Sequence, residues 1–328
     1  MLFQQTLNLP VIGSKGAGGY SGQYGIFADP LAGTFMLETL FNAASYQAGR
    51  FVDTVLSLLK VLIKSRFSVE MPAPQRPACS ILGNGPSLRQ SLDNDLAFIR
   101  QTETICVNNF ASSPEYAQLQ PMNYALLDPA FFLYSEQNNS RKDVEKTIRC
   151  LVNLTVWPMN LFVPQSARSS YLVNQLHGKH LNVRVVFYNY TVVRGYAWFR
   201  HFIFRNGWGM PQAQNILAAS LYLAITRRFG EVYLFGADHS WHEEIRVSDS
   251  NELLIKQEHF YDKPGDATHI PVYDVVKKET SRMSAQFASL SKAFYSYEIL
   301  RDYAASLNVR VLNASAKSYV DAFKRVKI

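Results

Sequence analysis

Four short stretches of this 328-residue chain carry residue types that can bind a phosphate, read a nucleotide or move a proton. The first is Gly83-Asn84-Gly85-Pro86-Ser87, which follows the apolar run Cys79-Ser80-Ile81-Leu82. A glycine-rich turn after a buried strand lets bare backbone approach a ligand and can aim N–H groups at an anion. The second is Asn108-Asn109-Phe110, after Ile105-Cys106-Val107, and the third is Asp128-Pro129-Ala130, after another apolar run. The fourth is Gly236-Ala237-Asp238-His239-Ser240-Trp241-His242, at the end of Val232-Tyr233-Leu234-Phe235. Amides such as Asn84 and Asn108 can read a base or ribose without adding charge. An Asn or Asp turn cap explains any one of these singly. Four polar strand ends in one chain point instead to a shared ligand site, because open parallel sheets bind ligands beyond the carboxyl ends of their strands.

Metal chemistry is less well supported. His239 and His242 stand three apart, but no third ligand has conventional spacing and Glu243-Glu244 does not complete an HExxH pattern, so no zinc site is expected. Asp238, Asp249, Asp262 and Asp266 include candidate Mg²⁺ ligands if the nucleotide were ATP, since carboxylate-plus-phosphate sites have no fixed spacing. The Gly-rich opening GSKGAGGYSG lacks the Gly-Lys-Ser/Thr ending of a phosphate loop and reads as an irregular lead-in.

Strands and helices alternate after residue 77, which predicts an α/β fold with a largely parallel sheet flanked by helices. The expected strands are 78–82, 104–107, 124–127, 161–163, 183–186, 232–235 and 309–312. The expected helices are 88–100, 140–151, 166–176, 211–229 and 283–306, with a basic terminal helix carrying Lys317, Lys324, Arg325 and Lys327. Residues 243–280 are polar and irregular and read as a lid or acceptor-binding insertion, from which Tyr261 and Tyr273 could reach a leaving phosphate. Before the sheet, residues 31–67 repeat apolar side chains at helical spacing (Val52, Val55, Leu56, Leu59, Leu62, Ile63) and end in Lys60, Lys64 and Arg66. That pattern suits a helix packed on the protein's own core, a helix in a homo-oligomer, or an interfacial helix on an anionic membrane. Three prolines in EMPAPQRP then mark a boundary, dividing an N-terminal extension, 1–77, from the sheet-bearing domain, 78–328.

The totals agree with a folded enzyme-sized chain. Nearly half the residues are hydrophobic, which excludes intrinsic disorder. The net charge of +7 fits an anionic partner such as a nucleotide, an acidic glycan or a lipid surface, and equally an excess of solubilising Lys and Arg. The basic residues are scattered and carry no nucleic-acid-binding motif, so no nucleic-acid partner is expected. Cys79, Cys106 and Cys150 have no CxxC spacing and read as free thiols in a reducing compartment. No signal peptide or membrane span is expected, which places the chain in the cytoplasm, with peripheral contact to the inner membrane face through 31–67 as one open reading.

The ordered series GNGPSL, VNNF, LLDPAFF and GEVYLFGAD resembles bacterial sialyltransferases that use CMP-activated nonulosonic sugars. The opening GNGPSL also resembles the wider group of 6-hydroxymethylpterin pyrophosphokinase-like and motility-associated glycosylation proteins. The resemblance covers roughly residues 78–316. It implies a Rossmann-like domain with a small lid and an inverting, metal-independent sugar transfer with no cofactor beyond the CMP-sugar. Gly83, Asn84, Gly85, Pro86 and Ser87 would lie along the CMP moiety, Asn108 and Asp128 near ribose or phosphate, and 209–215, including Gln214 and Asn215, would face the donor beside Gly236. Two departures stand out. Asp128 occupies a position where those enzymes usually carry an amide, and 288–300, where they place a general-base histidine, contains no His. Among His239, His242, His259 and His269, the first choice is His239, with Asp238 as a neighbour able to orient it; the second is His259, within Glu258-His259-Phe260-Tyr261-Asp262. The competing readings are an ATP- and Mg²⁺-dependent pyrophosphokinase of the pterin type and a non-catalytic nucleotide-binding module.

Overall fold

The computed structural model describes residues 30–137, 141–262, 267–274 and 279–328, with residues 30–36 and Asp274 described by backbone alone. The glycine-rich opening before residue 30, Ser140, Pro264, Gly265 and Asp266 lie outside the described residues. The chain forms two compact units, Met1–Gln47 and Ala48–Ile328. In the first unit the described part is helical, and the side chains of residues 37–47 are exposed.

The strands in chain order are β1 (Ala78–Leu82), β2 (Glu103–Val107), β3 (Asn123–Ala125), β4 (Met159–Pro164), β5 (Val183–Tyr188), β6 (Glu231–Phe235), β7 (Ile245–Val247), β8 (Leu253–Ile255), β9 (Ile270–Pro271), β10 (Tyr273–Asp274), β11 (Glu279–Thr280), β12 (Arg310–Asn313) and β13 (Lys324–Arg325). The helices are α1 (Pro30–Lys64), α2 (Leu88–Asn94), α3 (Leu96–Gln101), α4 (Glu115–Leu119), α5 (Ala130–Leu133), α6 (Lys142–Asn153), α7 (Tyr171–Leu176), α8 (Ala197–Arg205), α9 (Ile216–Thr226) and α10 (Met283–Ala305). Eight strands make one sheet in the order β13-β12-β6-β1-β2-β3-β4-β5, every pair parallel. From β1 the chain steps outward through β5, then returns to lay β6 on the other side of β1. The gap between β1 and β6 is therefore the point at which strand order reverses, where doubly wound sheets open a ligand crevice.

Alternation along the strands sends side chains into two cores. Cys79 and Ile81 of β1, Ile105 and Val107 of β2, and Val232 and Leu234 of β6 face the layer made by α8, α9 and α10. Leu82, Cys106, Tyr233 and Phe235 face the opposite layer, which α2 to α7 supply. Both faces are covered, which is why these strands read as continuous apolar runs. Burial pushes the Cys79 and Cys106 thiols well above their ordinary pKa, so both are inert protonated packing groups. Helix α9 is buried all round, from Ile216 to Ile225, and its near-uniform hydrophobicity follows from that position.

A buried ion pair holds the proline-rich segment against the sheet. Arg227 pairs with Glu103, both side chains being essentially inaccessible. Asn123 Nδ2 donates to Glu103 at 2.9 Å, Gln75 N–H donates to it at 2.7 Å, and Arg227 Nε donates to Pro72 O at 2.8 Å. Both carboxylate oxygens of Glu103 and all three guanidinium nitrogens of Arg227 thus have a partner, as a buried charge pair requires.

Several expected elements change. The helix expected over 88–100 is two, α2 and α3, broken at Asp95. The helix expected over 211–229 begins only at Ile216, because Asn215 is extended and caps it, its Oδ1 accepting from Ala218 N–H at 2.9 Å. Residues 166–176 form a short 3-10 turn and then α7, which Ser170 caps. Helix α8 is an addition to the expected elements. The basic terminal helix is absent from the described residues: after β12 the chain turns on Asn313, whose Nδ2 donates to Ser318 Oγ and Val320 O, and returns as β13. Those local hydrogen bonds compete with helix formation. The insertion is not irregular throughout, since β7, β8 and β9 form a small antiparallel sheet. Among the described residues no helix is long and apolar enough to cross a membrane.

Candidate functional site

A cavity of about 1000 Å³ opens at the carboxyl ends of the strands, over the β1/β6 reversal. Strands β1 to β6 each deliver lining residues to it: Asn84, Gly85 and Pro86 after β1, Asn108 after β2, Asp128 after β3, Ser166 after β4, Tyr190 after β5, and Gly236, Asp238 and His239 after β6. Gln214 and Asn215, ahead of α9, line it too, as does His259 from the insertion. The candidate residues scattered from 84 to 259 in sequence therefore share one chamber. Gly83 and Ser87 do not line it.

The glycine turn works differently from a phosphate cradle. Gly83 N–H donates to Phe235 O at 2.8 Å, Gly85 N–H to Gly236 O at 3.1 Å, and Ser87 N–H to Asp238 Oδ2 at 2.9 Å. Those donors are consumed by the β6 loop and cannot serve an anion. The glycines are there for closeness. A Cβ on Gly236, which has φ +61°, would stand 2.5 Å from Gly83 O, and one on Gly83 would stand 2.5 Å from Gly236 O. Only bare backbone lets the two strand-end loops touch.

Asp238 is part of the same clasp. Ser87 Oγ donates to its Oδ1 at 2.5 Å, in addition to the Ser87 N–H bond on Oδ2. The expectation that Asp238 orients the His239 ring is corrected: its carboxylate is engaged with the Ser87 turn. Burial raises its pKa, and the Ser87 bonds pull part of that rise back.

His239 is held instead by Tyr297. The imidazole Nε2 lies 2.7 Å from Tyr297 Oη, and Tyr297 Oη donates to Asn215 Oδ1 at 3.1 Å. When the phenol proton goes to Asn215, Nε2 carries the ring proton and Nδ1 the lone pair. Trp241 covers the ring, with centroids 4.3 Å apart, and His239 itself sits in the left-handed region at φ +52°. A non-glycine residue held there is a strained position of the kind that clusters at functional sites. Burial lowers the His239 pKa to about 3, so the ring is neutral near pH 7. Tyr297 comes from the 288–300 segment that lacks the expected histidine. Its contribution to the site is the phenol that holds the ring of a histidine elsewhere. No motif or spacing in the sequence sets Tyr297 apart from the other tyrosines, so its place in the site follows from the fold alone.

The cavity wall also offers unsatisfied amides. Asn108 Oδ1 and Asn215 Nδ2 are buried without a hydrogen-bond partner among the described residues, and both residues line the cavity. Buried polar atoms left unpaired call for a ligand or water. Asn108 is in the left-handed region at φ +46°, and its carbonyl is tied to Tyr124 Oη. The N-terminus of α9, which Asn215 caps, carries the positive end of an eleven-residue helix to the same wall. Asp128 is spoken for: its Oδ1 accepts from Ala130 N–H at 2.9 Å and starts α5.

From the insertion, His259 Nδ1 lies 3.1 Å from Asp262 Oδ2 and its ring stacks on Tyr261 at 5.0 Å. It is part-exposed, unlike His239. Burial raises the pKa of Tyr261, and Tyr273 is exposed on the outer strand β10. His242 packs edge-on against Tyr319. Lys317 reaches the cavity rim and pairs with Glu243 at 2.5 Å, a cation at the site that the terminal-helix reading concealed. Among the described residues no three His, Cys, Asp or Glu side chains are grouped to hold a metal ion.

Fold and cavity together define a doubly wound α/β protein with a ligand chamber at its strand-order reversal. No protein-family model matches the chain, and no curated protein does. Among solved structures it is similar to the MAf glycosyltransferase of Magnetospirillum magneticum AMB-1, at 12% identity over 91% of this chain with a TM-score of 0.45. This chain spans 42% of that protein's length. A match at that level carries no argument about activity, so the functional reading rests on the site.

Proposed function

We propose that the chain is a glycosyltransferase that moves a nonulosonic acid such as sialic acid from a CMP donor to a hydroxyl of a glycan or lipid-linked acceptor, with inversion and without a metal. The observation that carries this reading is the hydrogen-bonded series His239–Tyr297–Asn215, which joins a lone-pair nitrogen to the capped N-terminus of α9 inside one cavity. One end suits a proton acceptor and the other suits a phosphate. Asn108 Oδ1 can accept from a base or sugar, and Asn215 Nδ2 can donate to the donor's phosphate or ribose.

In this reaction the acceptor oxygen forms a bond to the anomeric carbon as the bond from that carbon to the phosphate oxygen breaks. The bonding pair leaves with CMP, and the hydroxyl proton passes to His239 Nδ1. The α9 dipole and Lys317 stabilise the phosphate charge as it grows. Burial alone makes His239 a weak base. A bound phosphate acts in the opposite direction, because a nearby negative charge favours the imidazolium. Donor binding therefore raises the basicity of the residue that needs it.

Thermal-shift measurements with CMP, CDP, UDP and ATP, each with and without Mg²⁺, test the donor, since a ligand of the native state raises the midpoint. Stabilisation by CMP without metal is expected. Stabilisation by ATP with Mg²⁺ alone would replace this reading with the pyrophosphokinase one. With a CMP-sugar donor, His239→Ala is expected to abolish transfer and retain the CMP shift; loss of transfer only in His259→Ala would move the base to the insertion.

A further inference from the structure

From Ala48 to Phe67 the N-terminal helix and the residues after it are amphipathic in the reverse sense of an ordinary core helix. Its hydroxyl-bearing face packs inward. Thr54 Oγ1 accepts from Tyr196 N–H at 3.1 Å, Ser57 Oγ accepts from Arg194 N–H at 2.9 Å, and Ser65 Oγ donates to Thr191 Oγ1 at 2.8 Å. Gly195 lets the backbones meet, since a Cβ there would stand 2.8 Å from Thr54 Cα. The apolar face points outward. Val52, Leu56, Leu59 and Ile63 recur at four-, three- and four-residue steps along one stripe, all exposed, Ile63 at 80%. Helix α8, whose N-cap residue Tyr196 donates to Thr54, adds Trp198, exposed at 69%, and Phe202, one turn on.

An exposed apolar stripe of this length marks an interaction surface. Its chemistry selects the partner. Lys60, Lys64 and Arg66 border the stripe and are exposed, and Arg205 continues the Trp198–Phe202 face of α8. Within 48–67 the acidic count is one, Asp53, against four basic residues. Apolar side chains flanked by cations, with a tryptophan at the edge, fit the boundary between acyl chains and anionic headgroups. A second copy paired in register would instead set Lys60, Lys64 and Arg66 against the same cations.

We propose that this face of residues 51–67, with Trp198 and Phe202, seats on an anionic phospholipid surface. The surface has a direct connection to the cavity. The loop that receives Thr54, Ser57 and Ser65 also carries Tyr190, which lines the cavity and donates to Ala213 O at 2.7 Å. Arg194 of the same loop donates to Gln212 at 2.6 Å. Docking therefore brings one wall of the cavity to the membrane surface, whatever donor the cavity takes.

Co-sedimentation of the full chain with vesicles tests this, using phosphatidylcholine alone and phosphatidylcholine mixed with phosphatidylglycerol. Binding to the mixed vesicles is expected, with roughly tenfold weaker partitioning to phosphatidylcholine and for Leu59→Glu/Ile63→Glu, because charge and apolar insertion both contribute. Both substituted positions are exposed, so an unchanged thermal midpoint checks that the variant is folded. Equal pelleting of wild type and variant, or no pelleting of wild type with either vesicle, overturns the proposal. So does a wild-type dimer by light scattering that the double variant converts to monomer, since a second copy then covers the face.

Discussion

Replacing Gly236 by alanine tests whether closeness of the β1 and β6 loops is what the glycines supply. At φ +61° an alanine pays the left-handed backbone penalty of about 1–2 kcal/mol. Its Cβ would also stand 2.5 Å from Gly83 O and 2.8 Å from Leu88 Cβ. Neither neighbour is the far end of a flexible chain, so the overpacking cost is about 1–3 kcal/mol. The sum is about 2–5 kcal/mol, reduced by about 0.4–1 kcal/mol for the stiffer unfolded chain. Gly178 is the internal control, because it has φ +69° with nothing within 4 Å of an added Cβ. Gly178→Ala carries the backbone cost alone, about 1 kcal/mol after the same correction. With a urea slope of about 3 kcal/mol per molar, Gly236→Ala is expected to move the unfolding midpoint by about 1 M and Gly178→Ala by about 0.3 M, at unchanged slope. Gly236→Ala also displaces Asn84 and Gly85, so its CMP-induced thermal shift falls, whereas that of Gly178→Ala is retained. Equal midpoints for the two variants would refute the close-approach argument and leave only a turn preference.

The buried His239 gives a pH signature. Its folded pKa of about 3 lies below the ordinary value of 6.5, so between those limits the unfolded chain binds more protons and stability rises with pH. Its contribution is complete above pH 6.5 and is lost as pH falls toward 3, at most about 4–5 kcal/mol. Urea unfolding at a series of pH values should show a shallower acid slope for His239→Gln than for wild type; matching slopes would mean that the ring is not buried as described. Arg227→Met strands the Glu103 carboxylate in the core and is expected to cost about 3–5 kcal/mol. Its effect is expected on the urea midpoint, with CMP affinity of the folded protein unchanged; a midpoint within error of wild type would show that the pair is solvated.

The sheet was legible because its strands are buried on both faces and so read as apolar runs such as Cys79–Leu82 and Val232–Phe235, each stopped by polar turn residues. The same runs located the strand ends, and with them Asn84, Asn108, Asp128 and His239. Boundaries set by single side chains were harder to see. Helix α9 starts at Ile216 because Asn215 caps it, although Pro211 upstream also looks like a helix start. The terminal segment has basic residues at helical spacing, yet Asn313 and Ser318 draw it into a turn and β13.

Local periodicity and turn chemistry, which are properties of neighbouring residues, determined the parallel α/β layering and the set of polar groups gathered at one rim. Which of those groups act together was decided by contacts between residues far apart in the chain. Asp238 spends its carboxylate on Ser87, 151 positions away, and His239 takes its orientation from Tyr297, 58 positions away. Likewise, the apolar spacing of residues 52–63 is the same whether that stripe packs or stays bare. Only the tertiary structure turns the hydroxyls of Thr54, Ser57 and Ser65 inward, because the loop at 191–196 presents backbone N–H groups and a threonine hydroxyl that a leucine could not satisfy.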